Sequence, residues 1–115
     1  MCDELVTCGA MNADKCAETM GILELSEGCV KAINDAPCLE HAKEHQSYEG
    51  TCFPPCTNTE DMCAGDLLSK CVNGLTFTYK CSSVCSLKGM KFTGTCGSSY
   101  KGQASSSGGD VCWCQ

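Results

Sequence analysis

Fourteen cysteines in 115 residues constrain this chain more than anything else in it. At about 12% Cys, a short polypeptide reads as a disulfide scaffold. Apolar content leads to the same place from the opposite side. Leu, Ile, Val and Phe together number 18, about 16% of the chain, which is below the level at which a sequence normally builds its own core. Without cross-links that composition would predict disorder. Each cystine contributes about 2–4 kcal/mol by constraining the unfolded chain, so the expected compartment is an oxidising one. The other common use of a cysteine-rich chain, a set of zinc sites, is built on C-x2-C pairs, and the sequence contains none.

Three short spacings toward the C-terminus carry geometric information: Cys81-Ser-Ser-Val-Cys85, Gly94-Thr95-Cys96 and Cys112-Trp113-Cys114. Helix residues four apart share a face and are about 6 Å apart along the axis. Strand residues two apart share a face and are about 6.7 Å apart. A helix carrying Cys81 and Cys85 can therefore be fastened to a strand carrying Cys112 and Cys114 by two parallel bridges, with neither element bent. Gly94 is expected to be small because a helix at disulfide distance leaves little room on the neighbouring strand.

These spacings in this order, preceded by Cys71, resemble the cysteine-stabilised αβ family, the fold of invertebrate and plant defensins and of scorpion channel toxins. The resemblance covers about residues 66–115. It implies the pairs Cys71–Cys96, Cys81–Cys112 and Cys85–Cys114. It also implies a secreted, non-enzymatic protein of antimicrobial or toxin type, directed at a membrane, cell-wall or channel target. The chain departs from the family in one place: the loop from Gly97 to Val111, usually short, is here long and rich in Gly and Ser.

The six cysteines of that set leave eight others, Cys2, Cys8, Cys16, Cys29, Cys38, Cys52, Cys56 and Cys63, also an even number. The chain then divides after Cys63. The expected fold class is small disulfide-rich α+β, with a short-helix segment over residues 1–63 packed on a defensin-like αβ module over residues 64–115. Should Cys63 take the place of Cys71, the latter must bridge the two halves. In the first half, helices are expected from Asp3 to Ala10, from Lys15 to Leu23 after a cap at Asn12 or Asp14, and after Ser26 with Cys29, Val30 and Ile33 on one face. A fourth is expected after Pro37, running through Cys38 and Ala42 to His45. Their cysteines suggest cross-helix staples whose pairing cannot be chosen from sequence. Pro54-Pro55 makes residues 50–56 a turn-rich hinge, and Thr57 to Asp61 would cap a last helical turn holding Cys63. Strands are expected at Leu67-Leu68, Lys91 to Cys96 and Asp110 to Gln115, a turn at Asn73-Gly74, a helix from Thr78 to Leu87 closed by Gly89, and a flexible tip at Ser105 to Gly109.

Charge is divided unevenly. Residues 1–63 carry three lysines against twelve acids, and residues 64–115 carry five lysines against two, for a total of −6 and no arginine. Either the two faces attract and one half masks the other, or both are simply solvated. No nucleic-acid partner and no cofactor is expected. Met1 is followed directly by Cys2-Asp3-Glu4 rather than by an apolar stretch, so a secreted protein would be represented here by its mature part. No apolar run is long enough to span a membrane.

Two groups of residues invite functional readings. His41-Ala-Lys-Glu44-His45 matches H-x-x-E-H, in which two histidines on one helix face bind zinc and the glutamate activates water. A small zinc hydrolase would also need a third ligand and a cleft; the plainer reading is a solvated helix face, and no metal is expected. The second group is Lys88, Lys91, Phe92, Tyr100, Lys101 and Trp113. Lysines supply long-range attraction to an anionic surface and aromatic rings enter its interface. Strand alternation turns Trp113 away from the face of Cys112 and Cys114, so the indole is either an exposed contact or an anchor covered by the first half. The competing class is an extracellular structural or protein-interaction module whose acidic half faces a partner protein.

Overall fold

A computed structural model of the chain describes residues 1–57 and 61–115. Seven disulfides use every cysteine, and they tie short helices and small antiparallel sheets into a disulfide-rich α+β fold.

The first half contains α1 (Cys2–Thr7), α2 (Ala13–Met20), α3 (Glu27–Asp35), α4 (Cys38–His41) and α5 (Glu49–Cys52). Two of the expected caps form. The Asn12 side chain accepts the Lys15 N–H at 2.7 Å to start α2, and Ser26 Oγ accepts the Cys29 N–H at 3.1 Å to start α3. Helices this short are marginal alone. What fixes them is a shared core of Leu5, Cys16, Cys29, Ile33 and Cys52, and three of those five are cysteines. The bridges Cys2–Cys16, Cys8–Cys38 and Cys29–Cys52 fasten α1 to α2, the end of α1 to α4, and α3 to α5. Sulfur thus fills space that a larger domain would give to Leu and Ile.

The fourth helix stops at His41 rather than reaching His45. Beyond it the chain folds back, and the Glu40 carboxylate pairs with Lys43 Nζ at 2.7 Å and accepts the Ser47 N–H at 2.6 Å across that fold. Lys43 first, and then the Ser47 N–H, hold that carboxyl below the usual carboxylate range. The hinge is also shorter than expected, because Gly50 to Cys52 belong to α5 and only the segment from Pro54 to Cys56 is extended.

In the second half β1 (Met62–Ala64), β2 (Leu67–Val72) and β3 (Leu75–Lys80) form one antiparallel sheet in that order. Asn73 and Gly74, with φ of 53° and 81°, make the two-residue turn between β2 and β3 that the dipeptide predicts. Then follow α6 (Cys81–Leu87), β4 (Phe92–Gly97), a small hairpin of β5 (Ser99–Tyr100) and β6 (Gln103–Ala104), and β7 (Val111–Cys114), which pairs with β4. Two element boundaries need correction. Thr78, Tyr79 and Lys80 end β3 instead of opening the helix, in keeping with the strand preference of Thr and Tyr. Cys63, expected in a helical turn, lies in strand β1, and residues 58–60 of the segment expected to cap that turn lie outside the described residues.

The bridges Cys81–Cys112 and Cys85–Cys114 join α6 to β7 with Cα separations of 5.3 and 5.5 Å, as the spacing argument requires. Cys71 and Cys96 are not paired with each other. Cys96 joins Cys63 and Cys71 joins Cys56. Strand period explains the exchange: Cys63 stands opposite buried Leu68 and shares its face, whereas Cys71, three residues beyond Leu68, points to the other side of the sheet. Two disulfides therefore cross the point after Cys63, and the cysteine parity used to divide the chain is not kept.

Backbone pairing also joins the halves. Ile22 to Glu24 runs along the outer edge of β3, with the Glu24 N–H donating to the Thr78 carbonyl and the Lys80 N–H donating to the Ile22 carbonyl, both at 2.8 Å. That covers an otherwise open edge and buries Leu23 beside it. Farther along the same edge the Thr76 N–H donates to the Pro54 carbonyl at 2.8 Å, and the Phe53 and Phe77 rings meet at 4.4 Å.

Gly94 is needed for a different reason from the one the spacing suggested. A Cβ there would meet nothing within 4 Å, but its φ is +90°. On β4, Thr93 to Thr95 bulge out against the single residue Trp113 of β7, and the chain turns through glycine to do so. Gly94→Ala is expected to cost about 1–2 kcal/mol. Gly97→Ala, in the same strand with equally open space and no such φ, is expected to cost well under that. Urea unfolding of the two variants checks the difference, and equal losses would mean that space rather than backbone conformation selects glycine at position 94.

Candidate functional site

The H-x-x-E-H residues do not converge. His41 is buried, with Nδ1 at 2.8 Å from the Tyr48 hydroxyl, while Glu44 and His45 are exposed and His45 Nδ1 lies 3.2 Å from Glu49. The end of α4 at His41 separates the two imidazoles, so they share no helix face. His41 is not on a solvated face either. Burial, with the charge of Glu40 adding to it, pushes the Tyr48 phenol above its ordinary pKa. His41 Nε2 lies 3.7 Å from Glu4 Oε1. That separation is too long for a hydrogen bond, so Nε2 stays unpartnered. The Sγ atoms of Cys81, Cys96 and Cys112 lie within 4.8 Å of one another. All three are oxidised in disulfides and so are not thiolate ligands.

The second group of residues is partly assembled. Three members meet on the side of β7 away from α6: the Tyr100 and Trp113 rings have centroids 5.8 Å apart, and Lys101 Nζ is 5.3 Å from the Tyr100 centroid. That is cation–π range. The indole N–H donates to the Gly97 carbonyl at 3.1 Å, which fixes the ring and leaves its face half-buried. Trp113 is covered by the hairpin of its own half, while the first half packs along β3 and its turn. The remaining members are elsewhere. Phe92 stands opposite Cys114 and so shares the helix side of the sheet. Lys91 pairs through its backbone with Gln115 and is exposed, and Lys88 follows the end of α6, flanked by exposed Leu87 and Met90.

What places Lys101 is the loop that departs from the family pattern. It folds into the β5–β6 hairpin, whose two-residue turn is Lys101-Gly102 with φ of 49° and 80°. Asn, Asp or Gly is usual at the first of these positions. A lysine held in the left-handed region costs about 1–2 kcal/mol, and it puts a cation at the apex over the Tyr100 ring. The signal was available in the sequence, where Lys101-Gly102 separates two residue pairs that can register as strands. The Gly/Ser richness of the segment hid it.

Comparison with protein-family models, with curated proteins and with solved structures finds no match. The site therefore stands on its own geometry. Among the described residues no helix is long and apolar enough to cross a membrane, and seven disulfides suit an oxidising compartment, as is typical of extracellular proteins.

Proposed function

We propose that this chain is a secreted, non-enzymatic, defensin-like binding protein whose contact surface is the Tyr100–Lys101–Trp113 platform, and whose target is an anionic membrane or cell-wall surface. The observation that carries this reading is the left-handed Lys101 at the hairpin apex, its ammonium over the Tyr100 ring, which in turn packs against Trp113. A strained cation presented with two aromatic rings is a costly arrangement for a purely structural loop, and it suits an interface with negative charge outside and apolar matter beneath. The pairs Cys81–Cys112 and Cys85–Cys114 support the defensin-like reading of the scaffold, because they hold helix to strand in the way that family does. A binding role is also consistent with fourteen cysteines that are all committed to disulfides, leaving no thiol for nucleophilic chemistry.

The net charge of −6 argues against simple cationic lysis by the whole chain. An anionic surface repels the acidic half and so turns the basic half toward itself.

Co-sedimentation of the full chain with phosphatidylglycerol and with phosphatidylcholine vesicles tests the reading. Binding is expected to the anionic vesicles alone, and to weaken about tenfold in Lys101→Glu, with the loss reduced as salt rises. Trp113→Ala is expected to weaken it further at any salt. Failure to bind anionic vesicles, together with defined oligomers or capture of a cationic protein, would favour the interaction-module reading.

A further inference from the structure

A cleft of about 350 Å³ lies between the β2–β3 hairpin and α6, lined by none of Tyr100, Lys101 and Trp113. Its size is at the small end of ligand pockets, which run about 300–1,000 Å³. Sequence pattern builds each wall. Leu68 and Lys70 are two apart on β2 and Tyr79 stands opposite Leu68 on β3, so all three share one face of the sheet. Val84 and Lys88 are four apart on α6 and line the cleft from the helix side. Ile22, from the first half, closes one end, and Val111 of β7 another.

The lining sorts by polarity. Leu68 is buried, and with Val84, Ile22 and Val111 it makes an apolar interior. Lys88 is exposed at the rim, and none of the ion pairs among the described residues uses it. Lys70 is half-buried and only weakly engaged, with Nζ 3.5 Å from Asp61. Tyr79 adds a phenol.

We infer that this cleft binds a small amphipathic anion, a molecule with a short unbranched apolar body and one carboxylate or sulfonate head. The body lies against Leu68 and Val84, and the head is met by the Lys88 and Lys70 ammonium groups. An open cleft with an apolar floor and two lysines in its wall matches that chemistry on both counts: a neutral hydrocarbon leaves the lysines unused, and a compact inorganic anion leaves the floor uncovered. The site is separate from the platform, so it adds a soluble ligand to a protein already read as surface-binding.

Calorimetric titration of the native chain with decanoate, kept below the concentration at which it forms micelles, tests this. Saturable binding is expected, with amide shifts in the NMR spectrum concentrated at residues 68–70, 79 and 84–88. Lys88→Met should weaken decanoate about tenfold, the usual effect of losing a charged hydrogen-bond partner, and leave decanol unaffected. Val84→Phe, which fills the interior, should weaken both ligands while leaving sedimentation with phosphatidylglycerol vesicles as in the native protein. Should Val84→Phe fail to fold, the location of the native amide shifts decides in its place. Absence of saturable decanoate binding, shifts centred on Trp113, or equal affinity in Lys88→Met each overturn the inference. Loss of vesicle binding in Val84→Phe alone would mean that the cleft is part of the membrane surface and not a separate site.

Discussion

Replacing Cys81 and Cys112 together by alanine is expected to cost about 2–5 kcal/mol, against a total stability of about 5–15 kcal/mol for a domain of this kind. Two contributions add at this bridge. It spans 31 residues, so cutting it frees a long segment in the unfolded chain. Cys81 is also fully buried, so alanine leaves a void where sulfur had packed. The bridge Cys56–Cys71 provides the comparison. It spans 15 residues, and both of its cysteines are only half-buried. Cys56→Ala with Cys71→Ala should therefore cost clearly less, and should loosen the junction of the halves before it unfolds either. Thermal unfolding of the two double variants, with protease sensitivity of α6, ranks them. The reverse order would mean that docking of the halves, and not the link between α6 and β7, holds the second half together.

Ile33→Ala should come close to that loss without touching a disulfide, at about 2–5 kcal/mol. Ile33 is 1% exposed, and it is the one aliphatic side chain among the largest fully buried residues, the rest being Cys16, Cys29, Cys81 and Cys85. It sits between α3 and its cystine neighbours, which are covalently fixed and cannot relax into the space it leaves. Leu39→Ala, at 83% exposure, is expected to change stability by no more than about 0.5 kcal/mol. Urea midpoints measure both. A loss at Ile33 under about 1 kcal/mol would show that the cystines carry the first half with no help from its apolar core.

Where local chemistry chose the structure, the residues could be read directly. Asn12 and Ser26 start helices because their short side chains reach the next turn's N–H. Asn73-Gly74 turns because both positions need positive φ. The match between a four-residue helix spacing and a two-residue strand spacing foretold the link from α6 to β7. The site was legible only in part: Tyr100, Lys101 and Trp113 meet, whereas Phe92 takes the other side of the sheet and Lys88 borders a cleft. Strand alternation from Cys96 already puts Phe92 on the helix side, whereas the meeting of Tyr100 and Lys101 with Trp113 depends on the β5–β6 hairpin folding back over β7.

Composition and spacing were enough to say that this is a cross-linked α+β chain, because cysteine count and residue period are properties of the polypeptide alone. They could not say that Cys63, and not Cys71, reaches Cys96. That choice required knowing which face of the first sheet turns toward α6, and it was made when Leu68 was buried, taking Cys63 with it and leaving Cys71 on the far side with Cys56. Likewise His41 and His45 are neighbours in any helix drawn from sequence. The helix ends between them where the chain folds back, and the hydrogen bond from the Ser47 N–H to the Glu40 carboxylate, across seven residues, exists only in that folded-back chain.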